Sequence, residues 1–169
     1  MSDSAKRGET LFFNQHLSCF RCHGGFNFSD ATVSEKTAGR TVDFHNTGLY
    51  NLTGQFSYPP PNLGIFEFTK AVGDIGKFKT PTLRNIAITG PYMHDGSIRT
   101  LAGVLDHYAA GGRNITSGPS AGNGHDNRNK DPLIAGFQLS QHDRADLLSF
   151  LESLTDREVC HDPRFSNPW

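Results

Sequence analysis

The stretch Cys19-Phe20-Arg21-Cys22-His23 constrains this chain more than any other. Cys-x-x-Cys-His is the attachment signature of c-type haem. The two thiols add to the haem vinyl groups, and the adjacent imidazole is then held beneath the iron as the proximal ligand. The spacing of the thiols matches the two vinyls, so the requirement is geometric. A structural zinc would need a second Cys or His pair at ligand spacing, and the remaining residues offer no compact one. A thioredoxin-like redox pair belongs in a βαβ context, which the flanking sequence lacks. The motif therefore predicts one covalent haem c on Cys19, Cys22 and His23. Cys160 is left as a passive thiol, able to dimerise under oxidising conditions.

The 169 residues fit one domain, and their apolar content of 36% is low for a self-sufficient core of that size. A large apolar cofactor would supply the missing interior. Gly (18) and Phe (13) are abundant, and the one Trp is the terminal Trp169. Sixteen basic residues against 17 acidic ones leave a formal net charge of -1, which argues against nucleic acid or an anionic membrane as partner. No apolar run approaches the ~18 residues of a membrane span. The opening MSDSAKRGET lacks the basic-then-apolar order of a signal peptide. Covalent haem implies maturation outside the cytoplasm. The expected compartment is thus the bacterial periplasm, with an export signal lying outside these residues.

Four helical segments are predicted. The first runs from about Ala5 to Gln15 with Ser4 as N-cap, and the second, short, from about Thr82 to Ile88. The third covers about Thr100 to Ala109, with Leu101, Val104, Leu105 and Tyr108 at helical spacing, and stops at Gly111-Gly112. The fourth is capped by Ser140 with Asp143 at N3, and carries Leu147, Leu148, Phe150, Leu151 and Leu154 as an apolar stripe. Long stretches rich in Gly, Asn and Pro join them, and loops of that length in a compact domain are functional or wrapped around something. Strand-like runs such as GIFEFT are too few for a sheet, and HDNRNKD reads as a polar turn. Helices flanking the motif and closing the chain fit a mainly α, class I cytochrome c-like domain, its irregular loops packed around a covalently bound haem.

The stretch Pro91 to Tyr108 holds four candidates for the second axial position: Met93, His94, His107 and Tyr108. His/Met ligation is usual in small electron carriers, which favours Met93. His107 and Tyr108 are helix neighbours about 100° apart, so at most one faces the haem. The stripe Leu101, Val104, Leu105, Tyr108 puts Tyr108 on the buried side and leaves His107 solvated. On these grounds Met93 and Tyr108 stand level. With Met93 as ligand, the chain is a free-standing mono-haem electron-transfer cytochrome.

The segments FHNTGLYN, GKFKTPTLRNIAITGPYMHDGSIRTLAGVLDHYAAGG and LLSFLESLT resemble the C-terminal haem domain of bacterial di-haem cytochrome c peroxidases, and among them the MauG and MbnH branch. The resemblance spans about Lys6 to Trp169. In the peroxidases the distal ligand is a Met fourteen positions after the His of the PYxHDG block. Counting from His94, that position is Tyr108, and in MauG-like proteins it is a tyrosine that ligates iron. The resemblance implies His23/Tyr108 ligation, with Met93 packing near the haem edge and Arg84 paired with a propionate. His94 and Asp95 become supporting or inter-haem residues, and no catalytic residue is assigned to this chain. Carbonyls of Thr89 and Pro91 would contribute to an interdomain calcium whose remaining ligand lies in the other domain. Family members carry two haems, whereas this chain has one motif. The resemblance thus implies that residues 1–169 form a single cytochrome c domain, the C-terminal half of a di-haem enzyme. Its partners would be the absent N-terminal haem domain, where hydrogen peroxide reacts, and a redox partner or substrate protein. Alone, the domain is expected to bind haem and show little peroxidase activity.

Overall fold

The computed structural model describes residues 1–33, 35, 42–54, 56–159 and 161–165; Cys160 and Trp169 lie outside them. Four helices carry the fold: α1 (Asp3–Phe12), α2 (Phe66–Thr69), α3 (Leu101–Ala109) and α4 (Gln141–Ser153). Among the described residues, sheet is confined to two antiparallel two-residue ladders. One pairs β1 (Phe44–His45) with β2 (Phe78–Lys79), the other β3 (Asn114–Ile115) with β4 (Gly122–Asn123). This is the mainly α architecture the sequence predicts.

The terminal helices α1 and α4 form the principal contact. Ala5, Gly8 and Phe12, spaced three and four apart, bury one stripe of α1, and α4 answers with Asp146, Leu147, Phe150 and Leu151. Phe12 and Phe150 meet with ring centroids 5.1 Å apart. Asp146 locks the pair: Arg7 Nε and Nη2 each donate to its carboxylate at 2.7 Å, and Ser4 Oγ donates at 2.5 Å. Ser4 is thus not the N-cap that the sequence suggests. Ser2 caps α1 by accepting from the Ala5 amide at 3.1 Å, and Ser4 is freed for the tertiary contact. The cap at Ser140 forms as expected, its Oγ accepting from the Asp143 amide at 3.1 Å, and Thr100, read as the first residue of the third helix, is its N-cap.

Two local expectations fail. Thr82 to Ile88 is not a helix beyond a 3₁₀ turn at Ile86–Ile88. Thr82 Oγ1 donates to the Asn27 carbonyl and accepts from the Arg84 amide, and Asn85 adopts φ +60°, so side-chain and loop bonds displace the helical ladder. The strand-like GIFEFT instead holds the single helical turn α2. Glu67 Oε1 accepts from the Leu63 amide at 2.8 Å, and Lys70 in the left-handed region ends the turn.

Two apolar clusters result. The first joins α1, α3 and α4 through Phe12, Leu17, Leu83, Ile86, Leu105, Leu147, Phe150 and Leu151. The second is built from irregular chain around Leu49, Tyr50, Tyr58, Leu63 and Ile75. A buried side-chain network holds the latter. Asn46 donates to the Ile75 carbonyl at 3.1 Å and accepts from the Gly48 amide at 2.9 Å and the Tyr58 hydroxyl at 2.8 Å. Asn127, in the stretch read as a polar turn, is buried too and donates to the Tyr50 carbonyl at 2.8 Å. The long loops are therefore packed structure, hydrogen-bonded from within.

Candidate haem c site

Leu17, anchored in the first cluster, leads into a 3₁₀ turn at Cys19–Arg21, where His23 N–H donates to the Cys19 carbonyl at 2.9 Å. The turn brings Cys19, Cys22 and His23 to one side of the chain. Both thiols are free and half-buried, and burial pushes the Cys19 thiol up to about 11. The chain returns through Gly24 and Gly25, and Asp30 N–H donates to the Cys22 carbonyl at 2.8 Å.

His23 Nδ1 lies 3.1 Å from the Phe28 carbonyl. A carbonyl only accepts, so Nδ1 carries the proton and Nε2 keeps its lone pair. Burial, the dominant influence, lowers the pKa of this imidazole and holds it neutral. A neutral ring oriented through Nδ1–H with an unprotonated Nε2 is the form a metal-ligating imidazole takes.

Tyr108 on α3 shares this region. Burial foremost, then the charges of Cys22 and Cys19, push its phenol above the ordinary tyrosine range. The donor set present (two thiols, one directed imidazole and a phenol within electrostatic reach of both thiols) fits a covalently attached haem. Ligation by Tyr108 would require the phenolate, which a cationic iron favours.

Met93 adopts φ +70° and packs on the second cluster with Leu49, Tyr50 and Tyr58. Its neighbour His94 stacks on Phe78, centroids 3.8 Å apart and planes within 12°. Asp95 accepts from the Tyr50 hydroxyl at 2.5 Å and from the Ser97 amide at 2.9 Å. Arg84 is exposed; its guanidinium sits over the Phe26 ring at 4.5 Å and donates to the Phe26 carbonyl at 2.5 Å and to Asn27 Oδ1 at 3.2 Å. It braces the turn that follows His23. Thr89 and Pro91 are exposed on either side of the cis Gly90–Pro91 bond.

His107 departs from expectation. It is 5% exposed, not solvated; among the described residues neither ring nitrogen makes a hydrogen bond of good geometry, and the Thr47 backbone is the polar group that acts on the ring. Burial drives its pKa down to about 4. Helical phase missed this because α3 is covered on more than one side. Past Gly111 the chain folds back, with Gly112 N–H on the His107 carbonyl and Arg113 N–H on the Gly48 carbonyl.

Sequence reasoning also missed His45. Its Nε2 lies 2.6 Å from Asp30 Oδ2 and its Nδ1 lies 2.6 Å from Asp131 Oδ2. His45, Asp30 and the Cys22 sulfur form a group whose polar atoms fall within 4.8 Å of one another. The Cys22 sulfur foremost, with the two carboxylates, lifts His45 to about 10. The partners are 15 and 86 residues away in sequence, so no spacing pattern announces them.

No protein-family model matches the chain. It is similar to a solved MauG-like protein associated with microbial copper homeostasis: 46% identical, TM-score 0.93, covering all of this chain and 52% of that one. It is 31% identical to cytochrome-c peroxidase IdrP1 of Pseudomonas sp. (strain SCT), over 96% of this chain and 43% of that protein. To the methylamine utilization protein MauG of Methylorubrum extorquens it is 33% identical, over 89% of this chain and 34% of that protein. The chain thus spans about half the length of these relatives or less. The Cys-x-x-Cys-His turn, the directed His23 and these likenesses together lead to one conclusion: the chain belongs to the MauG and di-haem cytochrome c peroxidase family of haem-based electron-transfer and peroxidase proteins.

Proposed function

We propose that this chain is the haem c-bearing electron-transfer domain of a periplasmic di-haem peroxidase or MauG-like oxidoreductase, its C-terminal half. The observation that carries the reading is His23. It is presented by the Cys19–Cys22 turn with Nδ1–H committed to the Phe28 carbonyl at 3.1 Å, which leaves Nε2 unprotonated. A single covalent haem held there would supply one-electron redox chemistry. Cys19 and Cys22 would tether it, and His23 and Tyr108 would be its protein ligands.

Tyr108 is preferred over Met93 because its phenol feels the charges of both thiols, whereas Met93 is packed among Leu49, Tyr50 and Tyr58. An anionic oxygen favours ferric and higher iron states, where a thioether favours ferrous. Tyr108 therefore makes the domain a poor shuttle and a good store of an oxidising equivalent generated where peroxide reacts, in the N-terminal domain. The oxidised substrate would be a partner protein. Arg84 would pair with a propionate on releasing Phe26, and carbonyls of Thr89 and Pro91 would join a calcium site completed by the other domain.

Absorption and EPR spectra of the ferric protein test the ligand set. A Soret band resistant to denaturing extraction establishes the covalent haem. Tyr108→Phe should change the ferric spectrum and Met93→Leu should not. A thioether–iron charge-transfer band, or an unchanged Tyr108→Phe spectrum, would replace this reading with the His23/Met93 mono-haem cytochrome.

A further inference from the structure

The chain has four tyrosines and one tryptophan, so side chains able to hold an oxidising equivalent are few. At neutral pH a phenol gives up an electron readily only when its proton has somewhere to go. The four hydroxyls differ in that respect. Tyr92 donates to the Ile86 backbone carbonyl at 2.9 Å and Tyr58 to the Asn46 amide oxygen at 2.8 Å; neither acceptor is a base. Tyr108 faces the two thiols and is taken up by the proposed ligation. Tyr50 alone donates to a carboxylate, Asp95 Oδ2 at 2.5 Å, the short distance of a charge-assisted bond. Its ring is buried, 9% exposed, while Asp95 is exposed, so the pair joins the interior to the surface.

Side chains lead continuously from Cys22 to this pair. His45 approaches Cys22 and pairs across the β1–β2 ladder with Phe78, which places both side chains on one face. Phe78 stacks on His94 at 3.8 Å and lies 6.2 Å from Tyr58. Tyr58 meets Tyr50 edge-on at 5.6 Å, and His94 lies 6.4 Å from Tyr50.

We propose that Tyr50, with Asp95 as its proton acceptor, is a redox-active tyrosine that relays oxidising equivalents between the haem side of the domain and its surface. This rests on the haem reading above. One electron would leave Tyr50 through Tyr58 and the Phe78–His94 stack toward a haem holding an oxidising equivalent from the peroxide reaction, while the hydroxyl proton passes to Asp95. The products are a neutral tyrosyl radical and a protonated carboxyl. An electron from an external reductant, with return of the proton from Asp95, restores the phenol. Arg113, 4.6 Å over the Tyr50 ring, opposes a cationic radical and so favours the route in which the proton departs.

The test oxidises the haem-loaded protein with a flash-generated ruthenium(III) tris-bipyridine and traps radicals for EPR. The wild type should give a tyrosyl signal that narrows with ring-deuterated tyrosine. Tyr50→Phe should lose it, Asp95→Asn should lower its yield by about tenfold or more, and Tyr92→Phe should leave it unchanged. Asp95→Asn, an exposed isosteric change, keeps the test decisive if Tyr50→Phe misfolds. A signal that survives both variants, or that resides on Trp169, overturns the relay. Absence of the Soret band sinks the haem reading instead, so the two failures are distinct.

Discussion

Gly8 of α1 lies so close to the Asp146 carbonyl of α4 that a β-carbon on Gly8 would stand 2.0 Å from that oxygen and 2.8 Å from the Phe150 β-carbon. The terminal helices therefore meet backbone to backbone, and that crossing sets the frame in which the Cys19–His23 turn is held.

Gly8→Ala should destabilise the domain. Helix propensity alone would favour Ala by about 1 kcal/mol, but the helices must separate to admit the methyl group. A net loss of about 2–4 kcal/mol is expected in urea unfolding. A variant as stable as the parent would refute the close crossing.

Asp146 gives the same interface a pH dependence. Its pKa falls to about 2, foremost through the hydrogen bonds from Arg7 and Ser4. A carboxyl depressed in the folded state contributes stability that is present above its unfolded pKa, about 3.9. That contribution is lost as pH drops through the folded value. Arg7→Gln should therefore weaken the protein at pH 7, and the gap to the parent should narrow below about pH 4. Urea titrations across that range measure it; a gap that stays constant would contradict the ion pair.

His107 acts in a neighbouring window. Its folded pKa of about 4 lies below the unfolded value near 6.5, so between the two the unfolded chain binds more protons. The stability it permits is complete above about pH 6.5 and is lost as pH falls toward 4, by roughly 3 kcal/mol at most. His107→Leu should flatten this stretch of the stability–pH curve. A curve as steep as the parent's would show that another group titrates there.

Asn46 tests the packed loops. It is fully buried and bonds the Ile75 carbonyl, the Gly48 amide and the Tyr58 hydroxyl. Asn46→Ala leaves those groups unsatisfied and should cost about 2–4 kcal/mol. Hydrogen exchange should quicken at Gly48 and Leu49 while α4 stays protected. Uniform loss of protection would mean the two clusters unfold as one unit.

Local signals carried much of the fold. Ser140 and the apolar stripes of α3 and α4 define their helices because caps and 3.6-residue periodicity act within one turn. Thr82 to Ile88 and GIFEFT misled for the same reason, since Asn27, Lys77 and Leu154 reach those segments only in the folded chain.

For the site, the donor set at residues 19–23 was legible along the chain, because two thiols and an imidazole within five positions share one turn. Through resemblance the sequence also pointed to Tyr108. Packing of distant segments set the rest. It buried His107, set His45 between Asp30 and Asp131, turned Arg84 onto Phe26, and brought Tyr50 to Asp95 across 45 positions. Spacing along the chain specifies a motif whose partners share a turn. Burial and charge pairing depend on which distant segments the packed helices bring together.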